Sequence, residues 1–255
     1  MGFLTGISLF SGAGGLDLAA RWAGIRTLCY VEYDKWAQGT LISRIREGAL
    51  DAAPIWDDIK TFDGKPWHGK VDIVFGGFPC QPHSQAGKRE RERDERNLWP
   101  EFMRIVRECR PPFILGENVQ GIVTNGYAIE VMADLEEEGY CVVPTVGYSC
   151  AFGGPFPRAR VLFIAHSKCL RWKTDKAEKT KHTEGIRQRE SVAPMVRIDL
   201  GRYGQRTIPQ LSRVVNGLAY RMECLKTIGN GVDPYVGYVA FQKILEMAAL
   251  SQGKK

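Results

Sequence analysis

The feature that most constrains this 255-residue chain is a regular alternation of short apolar, β-branched runs with longer segments of helical period. TGISLF reads as a strand and GLDLAARWAG as a short helix closed by Gly24; IRTLCYVE reads as a strand and DKWAQGTLISRIREG as an amphipathic helix that Gly48 ends. VDIVFGG, NLWPEFMRIVREC, PPFILGENV and YAIEVMADLEEEG repeat the pattern, the last closed by Gly139, and YCVVPTVGYS and ARVLFIAHS follow as strands. Strands separated by helices are joined by crossovers that cover a sheet on both sides, so the pattern predicts an α/β fold with a largely parallel sheet between helical layers. PQLSRVVNGLAYRME and DPYVGYVAFQKILEMAALSQ read as C-terminal helices, the second with an apolar stripe that should dock back on the sheet. No internal repeat is visible.

The rhythm breaks once. Residues 167–207 are polar, carry Lys and Arg among Thr, Glu and Gly, and keep no period, which marks an insertion with little core of its own. The net charge of +6 is concentrated there: residues 168–213 hold twelve Lys and Arg against five Asp and Glu, and the rest of the chain holds 23 against 24. A neutral body with one basic segment is an electrostatic footprint for a polyanion. The expected organisation is a main domain over 1–166, the basic segment over 167–207, and C-terminal helices over 208–255 that complete the main domain. No run of eighteen or so apolar residues occurs and the N-terminus lacks a basic leader region, so the expectation is a soluble, cytoplasmic protein without a membrane partner. Seven cysteines with no CxxC pair indicate neither a disulfide framework nor a metal site.

The loops carry the chemistry. In GGFPCQPHS, directly after the strand VDIVF, Cys80 stands between two prolines. Each proline fixes its own φ and holds the residue before it extended, so Phe78 and Gln81 are both restricted and the thiol sits in a stiff loop. Gly76 and Gly77 permit close approach of a neighbouring backbone. The stretch has the character of a positioned nucleophile.

The first loop, FSGAGG, places Gly12, Gly14 and Gly15 between a strand and a helix, where backbone can approach a cofactor. It is not the dinucleotide fingerprint, because GxGxxG from Gly12 would need glycine where Asp17 stands. Val31-Glu32-Tyr33-Asp34 at the end of the second strand puts an acid where it can accept hydrogen bonds from ribose hydroxyls, and Trp56-Asp57-Asp58-Ile59 offers a carboxylate near the end of a third strand. Taken singly, Asp34 and Asp58 would also be ordinary helix caps.

In this order, LFSGAGGLDLA, VEYD, DDI, GGFPCQPHSQAGKR followed by DERNLWPEF, GENVQGI, FPRARVLFIA and KTIGNGVDP resemble the DNA cytosine-5 methyltransferase family, in its compact bacterial and phage form. These residues span positions 9–234 and leave the basic insertion unmatched. The resemblance implies a Rossmann-like S-adenosylmethionine-dependent methyltransferase fold with a variable target-recognition segment, here short at roughly 40 residues. It also implies double-stranded DNA as partner, a monomeric enzyme, and a restriction–modification setting with a cognate endonuclease.

Cytosine C5 is a weak nucleophile, so the family first adds a thiolate to C6, and Cys80 is the matching thiolate. Glu117 of GENV would donate a proton to N3, and Arg158 and Arg160 match an Arg-x-Arg pair whose second member contacts the base oxygen. The base must be flipped out of the duplex to reach them. The resemblance puts Phe10, Gly12, Gly14, Pro79 and Asn230 at the cofactor, Glu32 on its ribose and Asp58 on its adenine. Gln81, Ser84, Asn118 and Val119 fall to the substrate side, Asn118 by orienting the thiol loop. In the basic segment Arg187, Arg189, Arg197, Arg202 and Arg206 are the expected base readers, since a guanidinium grips guanine O6 and N7 together. Phe156, where the family often has Gln, and Asp57, where it usually has Gly, depart from the pattern.

Two other readings fit part of the sequence. One keeps the fold and makes the substrate RNA, as in the tRNA-methylating branch; its Cys-Phe-Thr tripeptide is not in this chain. The other is a DNA-binding regulator that has kept the fold without turnover.

Overall fold

The computed structural model describes residues 3–79, 97–152, 158–168 and 231–252. β1 (Thr5–Leu9), α1 (Gly15–Trp22), β2 (Arg26–Val31), α2 (Lys35–Arg46) and the two-residue β3 (Ile55–Trp56) come first. β4 (Ile73–Gly77), α3 (Trp99–Cys109), β5 (Phe113–Val119), α4 (Gly121–Thr124) and α5 (Tyr127–Glu137) follow, then β6 (Tyr140–Tyr148), β7 (Ala159–Ser167) and α6 (Pro234–Gln252).

The helix ends follow local chemistry. α1 stops at Ala23, and Gly24 turns the chain at φ 79°. α2 starts where the Asp34 carboxylate accepts from the N–H groups of Trp36 and Ala37 at 2.9 and 3.2 Å, so Asp34 is a helix cap. α3 buries Trp99, Phe102, Met103, Ile105, Val106 and Cys109 along one stripe, with Pro100 in its first turn.

The strands form one sheet in the order β3-β2-β1-β4-β5-β7-β6. β3, β2, β1, β4 and β5 pair in parallel, whereas β7 runs antiparallel to both β5 and β6. Ten residues join β6 to β7, and a short connection suits an antiparallel pair. The consequence reaches the site: the beginning of β7 comes to the same edge as the ends of β1, β2, β4 and β5.

Both faces are covered. Ile73 and Phe75 of β4, with Phe113 and Leu115 of β5, pack under α1 and α6, where Phe75 meets Phe241 edge-on at 5.2 Å between ring centres. The alternate residues Val74 and Ile114, with Phe163, pack against Phe102 and Val106 of α3 and Val131 and Leu135 of α5. The C-terminal helix thus returns to the sheet as its apolar stripe requires. None of the described helices is long and apolar enough to cross a membrane.

Candidate active site

The turn after β1 is held in an unusual conformation. Phe10, Gly12 and Gly14 all have left-handed φ, at 53°, 56° and 77°. For Phe10, a residue with a Cβ, this costs on the order of 1 kcal/mol. The Ser11 N–H donates to the Val31 carbonyl at 3.1 Å and the Gly14 N–H to the Ser11 carbonyl at 2.9 Å. Glu32 completes the clamp: its carboxylate accepts from the Gly12 N–H and from the Asp34 N–H, each at 2.7 Å. Burial raises the pKa of Glu32, and the two amides pull it back. Beside Gly12 an added Cβ would meet nothing closer than the Phe10 carbonyl at 3.9 Å, so the loop leaves room there.

The opposite wall is built by β4, β5 and β7. Gly76 and Gly77 are needed for sterics: a Cβ at Gly76 would lie 2.1 Å from the Leu9 carbonyl, and one at Gly77 2.6 Å from Glu117 Oε2. Phe78 is buried against Trp99, Phe102 and Phe163. Its carbonyl accepts from Asn118 Nδ2 at 3.0 Å, while Asn118 Oδ1 accepts from the Val119 N–H at 2.8 Å. The buried Asn118 side chain therefore spaces the end of β5 from the segment that leads, through half-buried Pro79, to Cys80.

Glu117 sits opposite Gly77 in the β4–β5 register and opposite Leu162 in the β5–β7 register, which makes Arg160 its diagonal neighbour. Arg160 Nε lies 2.7 Å from Glu117 Oε1, with both side chains about nine-tenths buried. Burial pushes Glu117 up to about 7, and the charges of Arg160 and Arg158 pull the other way without cancelling it. Such a carboxyl is partly protonated in neutral solution and can donate a proton. Arg158 Nη2 donates to the Gly231 carbonyl at 2.5 Å, which fastens the chain just before α6 to the start of β7. Gly15 receives the same segment closely, since a Cβ there would lie 2.4 Å from the Val232 carbonyl.

One cavity, of about 40 Å³, joins the two walls; Ser8, Phe10, Ser11, Gly12, Gly77, Glu117 and Val232 are among its lining residues. The fold thus brings Phe10, Gly12 and Glu117 to one space, with Glu32 tied to its rim through Gly12 and Arg160 behind Glu117. Gly14 turns inward toward Leu50 and Leu41 at the head of α1. Asp58 stands apart past β3, half-buried, accepting from the Lys60 N–H at 2.9 Å, and Val119 is 43% exposed outside the cavity. Cys80, Gln81, Ser84, Arg187, Arg189, Arg197, Arg202, Arg206 and Asn230 lie outside the described residues, as does the basic segment beyond Lys168.

Sequence reasoning passed over Ser8, Ser11 and Asp17. Asp17 is 1% exposed, and its signal was its place: it shares the buried stripe of α1 with Ala20 three residues on, where an acid is out of character.

A family model described as C-5 cytosine-specific DNA methylase matches residues 4–244. Among curated relatives, Type II methyltransferase M.PspPI of Psychrobacter sp. is 37% identical over 163 residues, 62% of this chain and 38% of that protein. Type II methyltransferase M.NgoMIV of Neisseria gonorrhoeae is 31% identical over 184 residues, 69% of this chain and 57% of that protein. The chain therefore matches between about two fifths and somewhat over half of the length of these relatives. Among solved structures, one titled a candidate DNA modification methyltransferase encoded within an E. coli prophage is 29% identical with a TM-score of 0.52, covering 66% of this chain and 47% of the other. A Spodoptera frugiperda DNMT2 variant, at 21% identity and a TM-score of 0.54 over 69% of this chain and 54% of the other, shares the fold.

Proposed function

The chain belongs to the C-5 cytosine-specific DNA methylase family, and from that premise we propose that it methylates C5 of a cytosine flipped out of double-stranded DNA, with S-adenosylmethionine as the donor. The observation that carries this reading is the buried Glu117, pushed up to about 7, opening on the same cavity as the left-handed loop 10–14.

The residues present fit the cofactor. The room beside Gly12, the Phe10 turn and the Glu32 carboxylate at the rim offer a cradle for an adenosine and its ribose hydroxyls; by resemblance to the family, Pro79 and Asn230 would complete it and Asp58 would contact the adenine. When bound, S-adenosylmethionine supplies an electrophilic methyl group to the activated C5.

The chain's own residues do the rest. The Cys80 thiolate adds to C6, and the electron pair displaced from the C5–C6 bond moves toward N3 and O2 of the ring. Glu117 delivers its proton to N3 as that charge develops, and Arg160 faces O2 while keeping the Glu117 carboxyl in place. Loss of the C5 proton to solvent, departure of the Cys80 thiolate from C6 and return of the N3 proton to Glu117 then restore the base. Asn118 holds the Phe78 carbonyl, and so the lead-in to Cys80, in register with Glu117. Gln81, Ser84 and Val119 face the DNA side, and Arg158 keeps residues 231–232 against the site. The segment 167–207 supplies phosphate contacts from its lysines and base contacts from Arg187, Arg189, Arg197, Arg202 and Arg206. The enzyme is cytoplasmic and works as a monomer beside a cognate endonuclease.

The test is transfer of a labelled methyl group from S-adenosylmethionine to mixed-sequence duplex DNA and, separately, to tRNA. The expected result is 5-methylcytosine in DNA and none with Cys80→Ala. Label in tRNA alone would replace this reading with the RNA one, and binding of DNA without transfer would favour the regulator.

A further inference from the structure

One buried acid has no part in this chemistry. Asp17, in the first turn of α1, is 1% exposed, and its carboxyl oxygens make no hydrogen bond of good geometry with the described residues, the Ser8 hydroxyl and its own backbone N–H acting on it only loosely. It does not open on the cavity, but its chain neighbours Gly15 and Leu16 do, and so does Ser8, whose hydroxyl faces it. The hydroxyls of Ser8 and Ser11 lie 2.8 Å apart, and both line the cavity. Ser8 therefore links the acid to the space, with Ser11 bonded to it on the cavity side.

The charged groups that act most on Asp17 are acids. Glu32 comes from the end of β2, Asp51 from the segment after α2, and Tyr30 from β2, with its hydroxyl held on the Asp51 carbonyl at 2.9 Å. Burial pushes Asp17 up to about 7; the Ser8 hydroxyl pulls it down, and Asp51 and Glu32 add to the upward push. A buried carboxyl in such company either keeps its proton or waits for a positive charge.

The methyl donor brings one. Its sulfonium is cationic, whereas the sulfur of the product, S-adenosylhomocysteine, is neutral, and the two molecules are otherwise alike in charge. We infer that Asp17 is a specificity-determining residue that favours the charged donor over the spent product, by ionising when the sulfonium occupies the cavity beyond Ser8 and Ser11. This rests on the reading of that cavity as the S-adenosylmethionine site. On donor binding the Asp17 carboxyl releases its proton to solvent and the anion faces the cation. Once the methyl group has left, the sulfur is neutral, the carboxyl takes a proton back from solvent, and the product is held less tightly.

Calorimetric titration of the full chain with each ligand, in buffers of different ionisation enthalpy at pH 7, counts the protons released. The donor should release on the order of half a proton that the product does not, and its affinity should rise roughly tenfold from pH 6 to pH 8, against about twofold or less for the product. Glu117 also lies on the cavity with its pKa near 7, so the same titrations are run on Glu117→Gln. The difference between donor and product should persist there and vanish in Asp17→Asn. If Asp17→Asn does not fold, the native chain and Glu117→Gln decide alone. Equal proton release for both ligands, loss of the difference in Glu117→Gln, or its survival in a folded Asp17→Asn overturns the inference. If neither ligand binds, the cofactor reading falls and takes the inference with it; if both bind with the same pH dependence, only the inference falls.

Discussion

The two walls of the cavity each carry a buried acid raised to about 7, and they treat it in opposite ways. In the β4–β5–β7 wall, Glu117 opens on the cavity and has Arg160 at 2.7 Å. Behind the β1–α1 wall, Asp17 is sealed off, has the Ser8 hydroxyl beside it and no guanidinium such as Glu117 has, and makes no hydrogen bond of good geometry with the described residues. Desolvation of a carboxylate sets both values. What differs is the use each setting allows. An edge on the cavity and a fixed guanidinium suit a group that hands a proton to something in the cavity, while a sealed acid can only respond to charge placed near it.

If that contrast is right, removing the proton at Glu117 should matter most. Glu117→Gln keeps the shape and should slow single-turnover methyl transfer by on the order of a hundredfold or more. Because the protonated form is the donor, the native rate should decline as pH rises through about 7, and that decline should be missing in the variant; a pH-rate series checks both. Next in size is Gly77→Ala. Its methyl group would lie 2.6 Å from Glu117 Oε2, so the carboxyl must move, and transfer should drop by about tenfold, as single-turnover rates would show.

Asp17→Asn should give the smallest effect on the cavity's chemistry and a visible one on stability. The folded pKa, about 7, lies above the ordinary 3.8, so the native state holds the extra proton between those values. Its contribution to stability is complete below 3.8 and is lost as pH rises through 7. Unfolding by urea at pH 5 and pH 8 should therefore shift in favour of the variant by about 2 kcal/mol over that interval. A variant that follows the native pH dependence would mean that Asp17 is not the buried proton carrier.

The sequence revealed these walls unequally. The strand–helix order was readable because each strand is an apolar run bounded by glycine, proline or a capping acid, and each helix keeps its period. The wall holding Glu117 was readable in kind, through GGFPC, GENV and RAR, because loop composition there is unusual. Its geometry was not. The pairing of Glu117 with Arg160 depends on β7 entering antiparallel between β5 and β6, and strand order is set by packing between elements rather than by any one of them. Arg158 reaching Gly231 spans 73 positions, which no local pattern encodes. Asp17 was hidden for another reason. An acid in the first turn of a helix is an ordinary response to the helix dipole, and only the burial of that face shows that it has left water.

The proposed activity places a thiolate on cytosine C6, and that step can be caught directly. Duplex DNA carrying 5-fluorocytosine has no C5 proton to lose after methylation, so the enzyme cannot release the base. With S-adenosylmethionine present, the native chain should form a DNA adduct that survives denaturing electrophoresis, and mass analysis should locate it at Cys80. The Cys80→Ala variant should form none. A native protein that transfers methyl groups to ordinary DNA but forms no adduct, or an adduct that persists in Cys80→Ala, would contradict the account.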